Sequence, residues 1–189
     1  MAGGQERTLR RKIKGVQSTK KITKAMELIA ASRIMRAVSA IAAARPYYRE
    51  LSEIVRDLSR AGGVPKSVYT ASVDATLPEA VIAITSDRGL CGGYNSFVLR
   101  HVERFLKDRE TRGESTVLVG VGRKAEGYFR YRQLQAAWQV NGVTDGPSYA
   151  KALAIMGDLL DRFEAGEIGK VSMVVNRFYS IGNQRLEQV

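Results

Sequence analysis

The stretch from Gln5 to Ala61 contains almost no helix breakers; only Gly15 and Pro46 interrupt it. Alanine, leucine, arginine, lysine and glutamate dominate, and these residues lose little on entering a helix. Apolar side chains recur at Leu9, Ile13, Val16, Ile22, Met26, Ile29, Val38 and Ile41. Spacings of three and four lay them in one stripe along one helical face. At 1.5 Å of rise per residue such a helix spans about 80 Å, whereas a small domain is only about 30 Å across. Most of the rod therefore needs cover from another helix. Ala25, Ala30, Ala31, Ser32, Ala37, Ala40 and Ala42 to Ala44 keep its middle slim. Small side chains let two helix axes approach closely, as in a coiled coil. The heptad register slips between Val16 and Ile22, which predicts an irregular supercoil. Pro46 removes a backbone donor and predicts a kink, with the helical pattern resuming from Tyr47 to Leu58.

Charge follows the same division. The chain of 189 residues carries a formal +11, and residues 1–60 hold fourteen Lys/Arg against five Asp/Glu, a net +9. A basic rod calls for an acidic partner: nucleic acid, an anionic membrane surface or acidic protein loops. The single Cys91 excludes an internal disulfide and fits a reducing compartment. No apolar run reaches the roughly 18 residues that a membrane span requires. The basic, amphipathic start resembles a mitochondrial presequence only superficially, because its pattern continues into a helix several times too long.

Ala61-Gly62-Gly63-Val64-Pro65 predicts the end of the helix, and residues 62–79 a linker. From residue 80 to 189 the chain alternates strands with helices. Ala80 to Thr85 and Thr116 to Val121 are short apolar runs of the kind buried on both faces of a parallel sheet. Between them, Asn95 is a candidate N-cap for a helix from Ser96 to about Arg109, with Val98, Val102, Phe105 and Leu106 facing inward. Gly122-Arg123-Lys124 opens a shorter helix through Tyr131, and a third strand is expected within Gln133 to Val140. Ser148 is expected to cap a further helix with Tyr149, Leu153, Met156, Leu160 and Phe163 inward, closed by Gly166 and Gly169. Val171 to Val175, with Phe178, gives a last strand. The expected fold is α/β: a long N-terminal coiled-coil helix over 1–61, then a three-layer, Rossmann-like domain over 80–189 with a mainly parallel sheet.

The loop Ser86-Asp87-Arg88-Gly89-Leu90-Cys91-Gly92-Gly93-Tyr94-Asn95 lies where α/β proteins bind phosphates. It lacks the G-x-G-x-x-G spacing and the lysine and hydroxyl of a P-loop, so a tight glycine turn with a buried Asp87–Arg88 interaction is the better reading. Cys91 lacks a base to activate it. His101 stands two helical turns away, on a face expected to be exposed, and one Cys with one His makes no zinc site. Tyr128, Tyr131 and Trp138 beside arginines fit partly buried edges better than base-stacking platforms, since no RNP-type motif accompanies them. Asp158 and Asp161 read as a solvated helix face. No catalytic, cofactor-binding or metal-ligating set assembles.

Arg10 to Lys14, Thr19 to Met26, Ala30 to Arg33, Ala44 to Tyr47 and Ser86 to Asn95 resemble, in order and spacing, the gamma subunit of F-type ATP synthase. The resemblance spans nearly the whole chain and is strongest over its first hundred residues. It implies a non-catalytic central-stalk rotor that binds no cofactor. Its helices would turn inside the ring of alpha and beta subunits, and its α/β domain would sit near epsilon and the c-ring. Rotation driven by proton flow would force the catalytic sites through their states. The implied contacts with the alpha/beta head are Lys20, Lys21, Lys24, Met26, Arg88 and Cys91, with the acidic partner being loops of the beta subunits. The implied location is the cytoplasmic face of the bacterial plasma membrane, reached only through the complex. Chains of that family end in a second long helix, so this sequence, stopping at Val189, is expected to be a fragment. A basic, nucleic-acid-binding helix and a small nucleotide-using enzyme are the rival readings, and neither has a motif to accompany it.

Overall fold

The computed structural model describes residues 2–61, 74, 76–144 and 146–189. The chain divides into two compact units, Met1–Pro65 and Lys66–Val189. The first is one helix, α1 (Ala2–Arg60), of 59 residues with Pro46 inside it. The chain continues helically through the proline, as the pattern from Tyr47 predicts. From Gly4 to Arg60 every residue is exposed except the half-buried Ser52. That includes the apolar stripe, with Leu9, Ile13 and Val16 at least half exposed. Local pairs such as Arg10–Glu6 and Lys24–Glu27 decorate the surface, each contributing a few tenths of a kcal/mol at most. Burial against another surface is therefore the main stabilisation this helix still has to gain. The linker expected over 62–79 falls largely outside the described residues. Within it, Asp74 Oδ1 accepts from the amide and hydroxyl of Thr76 in a tight turn.

The second unit is built on a five-stranded sheet. In chain order its elements are β1 (Glu79–Ile84), α2 (Tyr94–Thr111), β2 (Thr116–Val121), α3 (Arg123–Arg132), β3 (Trp138–Val140), α4 (Tyr149–Glu164), β4 (Lys170–Ser180) and β5 (Asn183–Gln188). The strands lie in the order β3-β2-β1-β4-β5. β1 is parallel to both β2 and β4, β2 is parallel to β3, and β5 returns antiparallel to β4. The chain steps outward from β1 to β3, then crosses back to β4 on the other side of β1. Right-handed crossovers in opposite directions must lie on opposite faces, and the helices do. α2 and α3 cover one face, where Val81, Ala83, Val98, Val102, Leu118 and Phe129 pack. α4 covers the other, where Ala80, Ile82, Val119, Val121, Leu159 and Ile168 pack. Alternate residues of β1 thus feed two cores, which is why its sequence is apolar without alternation. Each fully buried Val or Leu contributes about 1.5–3 kcal/mol. The three-layer, mostly parallel α/β architecture is the one expected.

Four expectations are corrected. Asn95 is not the N-cap of α2: the helix begins at Tyr94 after Gly93, and no side chain caps it. The inner face of α4 is rotated by about one residue. Leu159 is fully buried, while Tyr149 is 82% and Leu153 49% exposed. Ile155, Met156 and Phe163 do pack against the core. His101 is half-buried rather than exposed, its Nε2 lying 3.2 Å from Gln188 Oε1 on β5. Finally, β4 is longer than expected and forms a hairpin with β5, a strand whose polar sequence gave no apolar signal.

Candidate functional site: the glycine loop and the basic helix

The loop after β1 stands at the carboxyl end of the sheet, beside the point where strand order reverses. In open α/β sheets, ligands bind in that crevice. Here the chain fills it from within. Asp87 Oδ1 accepts from the amides of Arg123 at 3.1 Å and Gly142 at 2.9 Å. Its Oδ2 accepts from the amide of Thr144 at 3.2 Å and from the Thr144 hydroxyl at 2.7 Å. The amide of Arg123 opens α3, so an internal carboxylate occupies the place where a phosphate would meet the helix N-terminus. Partial burial pushes the Asp87 carboxyl up, but the Thr144 hydroxyl and the amides of Gly142, Arg123 and Thr144 outweigh it and hold the pKa at about 2.

The rest of the turn is fixed in the same way. Asn95 Oδ1 accepts from the Ser86 amide at 2.9 Å, and Asn95 Nδ2 donates to Ser86 Oγ at 3.0 Å and to Cys91 Sγ at 2.9 Å. That is why Asn95 is unavailable as a cap. Ser86 Oγ donates to the Arg88 carbonyl at 2.6 Å. Beneath the loop, the buried Thr85 Oγ1 donates to the Val121 carbonyl at 2.8 Å and accepts from the Ala125 amide at 2.9 Å. Gly122, at φ +92°, passes so near that a Cβ there would lie 2.4 Å from the Thr85 carbonyl oxygen. Only glycine fits both the dihedral and the space.

What the loop leaves outside is its tip. Arg88, Leu90 and Cys91 are exposed, and Leu90 is 90% exposed with φ +62°. A non-glycine residue in the left-handed region is uncommon and costs about 1 kcal/mol or more. Sequence reasoning missed this conformation because no residue type announces a positive φ. On α1, Lys20, Lys21, Lys24 and Met26 are all exposed, and Lys24 Nζ pairs with Glu27 at 2.9 Å. The six expected contact residues thus fall into two groups, four on α1 and two on the loop tip of the second unit.

Fold and loop together define a class: a chain carrying a long, exposed, basic helix and a doubly wound α/β unit whose phosphate-like turn is filled by its own aspartate. The family model described as ATP synthase matches residues 5–189, and the chain belongs to that family. The ATP synthase gamma chain of Parafrankia sp. is 40% identical over 185 residues, covering 96% of this chain and 62% of that protein. The ATP synthase gamma chain of Saccharopolyspora erythraea is 43% identical over 162 residues, covering 86% and 52%. The chain therefore spans less than two thirds of the length of these relatives. A central-stalk chain of the Tetrahymena thermophila mitochondrial ATP synthase superposes with a TM-score of 0.69 at 24% identity, over 89% of this chain and 70% of that one. A rotor chain of the Euglena gracilis enzyme gives 0.54 at 16% identity, over 99% and 62%. At these identities the structures speak for the fold. Among the described residues, no helix is long and apolar enough to cross a membrane.

Proposed function

We propose that this chain acts as the central-stalk rotor subunit of a proton-translocating F-type ATP synthase. It transmits rotation between a membrane c-ring and the catalytic alpha/beta sites, and it carries no catalytic residue of its own. The observation that supports this reading most is the 59-residue helix, exposed along its length and carrying +9 of the +11 formal charge within residues 1–60. A stiff basic rod with an unburied apolar stripe suits a shaft that turns inside a collar of other subunits. In this reading residues 1–61 form the shaft and 80–189 the foot, near epsilon and the c-ring. Lys20, Lys21, Lys24 and Met26 on the shaft, with Arg88 and Cys91 on the loop tip, meet the alpha/beta head. Leu90 joins them, since its exposed and strained conformation suits an apolar contact. The complex holds the chain at the cytoplasmic face of a bacterial plasma membrane. The internal carboxylate in the glycine turn fits a subunit that uses this loop for contact rather than for nucleotide.

Co-expression with alpha and beta subunits tests the reading. The chain is expected to co-purify with them at fewer than one copy per alpha–beta pair. Recovery of an alpha–beta assembly from which it is absent would refute the proposal. Tight, stoichiometric ATP binding by the chain alone would refute it too, and salt-steep binding to DNA or RNA in preference to the head would favour the nucleic-acid reading.

A further inference from the structure

Between α2 and α3 runs an open groove of about 600 Å³. Arg100 on α2 and Arg123 and Lys124 in the first turn of α3 line it, with Gly127, Tyr128 and Tyr131. We propose that this groove docks an acidic segment of a partner polypeptide. The groove is distinct from the contacts assigned to the shaft but adjoins the glycine loop: Asn95 lines it, and Lys124 Nζ would lie 3.8 Å from a Cβ on Gly89.

Charge is the first argument. The neighbouring carboxylates are already used. Glu103 is bound by Arg132 and by the Tyr128 hydroxyl, and Glu126 by Arg130 and by Asn141 Nδ2. Among the described residues, Arg100, Arg123 and Lys124 form no salt bridge; Arg100 Nε donates only to the Ser96 carbonyl of its own helix. Three cations therefore line one concavity without a salt-bridge partner among the described residues, an arrangement that complements a run of carboxylates.

Shape is the second. A Cβ built on Gly127 would meet nothing within 4 Å, so the α3 surface is flat at the groove floor. Tyr131, 81% exposed, stands beside it as an aromatic wall with a polar tip, a residue type enriched at interfaces. The cations sit on two helices, and the Arg123 amide is already taken by Asp87. No amide nest for one small anion remains there, so spaced carboxylates on an extended or helical segment fit better than a lone phosphate. A flat anionic membrane would meet protruding cations, not cations lining a concavity.

The test uses the full chain and a synthetic peptide of alternating glutamate and leucine. A water-soluble carbodiimide joins peptide carboxylates to lysine amines, and mass spectrometry maps the products. Coupling is expected at Lys124. Gly127→Trp, which fills the floor without touching the core, should reduce it about tenfold, a change equivalent to about 1.4 kcal/mol. Gly127→Ala should leave it intact, and coupling at Lys20 and Lys21 should be unchanged in both. A double Arg100→Glu, Arg123→Glu variant, altered only in groove-lining cations, should lose Lys124 coupling similarly. Unchanged coupling at Lys124 in that double variant overturns the proposal. So does protection of Lys124 from acetylation by inorganic phosphate or by phosphatidylserine vesicles as strong as that given by the peptide.

Discussion

Asp87 and Thr144 hold each other by three hydrogen bonds: the Asp87 amide donates to Thr144 Oγ1 at 3.1 Å, while the Thr144 hydroxyl and amide donate back to Asp87 Oδ2 at 2.7 and 3.2 Å. With the Arg123 and Gly142 amides on Oδ1, the carboxylate ties the loops after β1, β2 and β3 together. Its pKa lies at about 2, below the ordinary 3.8. The charged form is the one the fold binds, so the stabilisation is complete above the unfolded value and disappears as pH falls through the folded one. Discounted for solvent screening, the shift corresponds to about 1–2 kcal/mol. Urea unfolding as a function of pH should show the wild type losing this amount between about pH 4 and pH 2. Asp87→Asn should be less stable at pH 7, and its deficit relative to the wild type should vanish across that window, since the other carboxylates titrate alike in both proteins. Parallel profiles for the two proteins would mean that the carboxylate is not bound in its charged form.

Removing the carboxylate should also free its amides for an external anion. Asp87→Ala is expected to gain thermal stability from millimolar sulfate or phosphate, whereas the wild type gains little beyond the general salt effect. Binding linkage sets the scale, about 1–2 kcal/mol at tens of times the dissociation constant. Equal responses would argue that Asp87 does not stand in a phosphate-like position.

Two glycines of the α3 region should respond with opposite signs. At Gly122, φ is +92° and a Cβ would lie 2.4 Å from backbone oxygen. Gly122→Ala should therefore cost about 2–4 kcal/mol, combining dihedral strain with displacement of the Thr85 turn. At Gly127, inside the helix and with open space around a Cβ, alanine should stabilise by about 0.5–1 kcal/mol. Denaturant midpoints of the two variants measure both. A neutral Gly122→Ala would show that the close approach relaxes at little cost.

The mouth of β1 carries an ion pair that should matter for folding. Glu79 is 4% exposed, and its Oε2 accepts from Arg109 Nη1 at 2.8 Å. Lys170 Nζ lies 3.4 Å from Oε1, a charge contact that leaves that oxygen without a hydrogen bond. Deleting Arg109 strands a buried carboxylate only partly compensated by Lys170. Arg109→Ala should therefore cost about 3 kcal/mol, and Glu79→Gln less, because Arg109 keeps Glu114 at 3.0 Å. If Arg109→Ala unfolds at the wild-type denaturant concentration, water already screens this pair.

The fold was legible where a residue's neighbours in sequence are also its neighbours in energy. β1 and β2 are continuous apolar runs because each is covered on both faces, and α1 announces itself by composition. β5 was hidden because Asn183 to Gln188 is an edge strand, polar and mostly exposed, held by pairing with β4 rather than by burial. The α4 face was misplaced because Leu159 and Leu160 are adjacent and equally apolar, and only the packing against β1 and β2 chooses between them. For Asp87 the sequence suggests a buried interaction with its neighbour Arg88; Arg88 is exposed, and the carboxylate binds Arg123, Gly142 and Thr144, 36 to 57 residues away and beyond any local pattern. The lysines of α1 were legible as charge, while the strain at Leu90 was not, since leucine carries no mark of the backbone it occupies.

The shaft lysines give the most direct trial of the rotor reading. Lys20 and Lys21 form no ion pair among the described residues and are exposed, so reversing them removes no internal contact. Circular dichroism of Lys20→Glu, Lys21→Glu should match the wild type, because lysine and glutamate have similar helix propensity. Association with an alpha/beta assembly should nevertheless weaken by about tenfold at low salt, chiefly through slower binding, as expected when a basic patch meets acidic loops. The difference should shrink as ionic strength rises and the Debye length falls to about 3 Å near 1 M salt. Met26→Ala, which alters an apolar contact, should weaken binding by an amount that salt does not erase. Should the reversed variant bind with unchanged affinity and salt slope, these lysines do not face the acidic partner, and the charge of α1 serves some other surface.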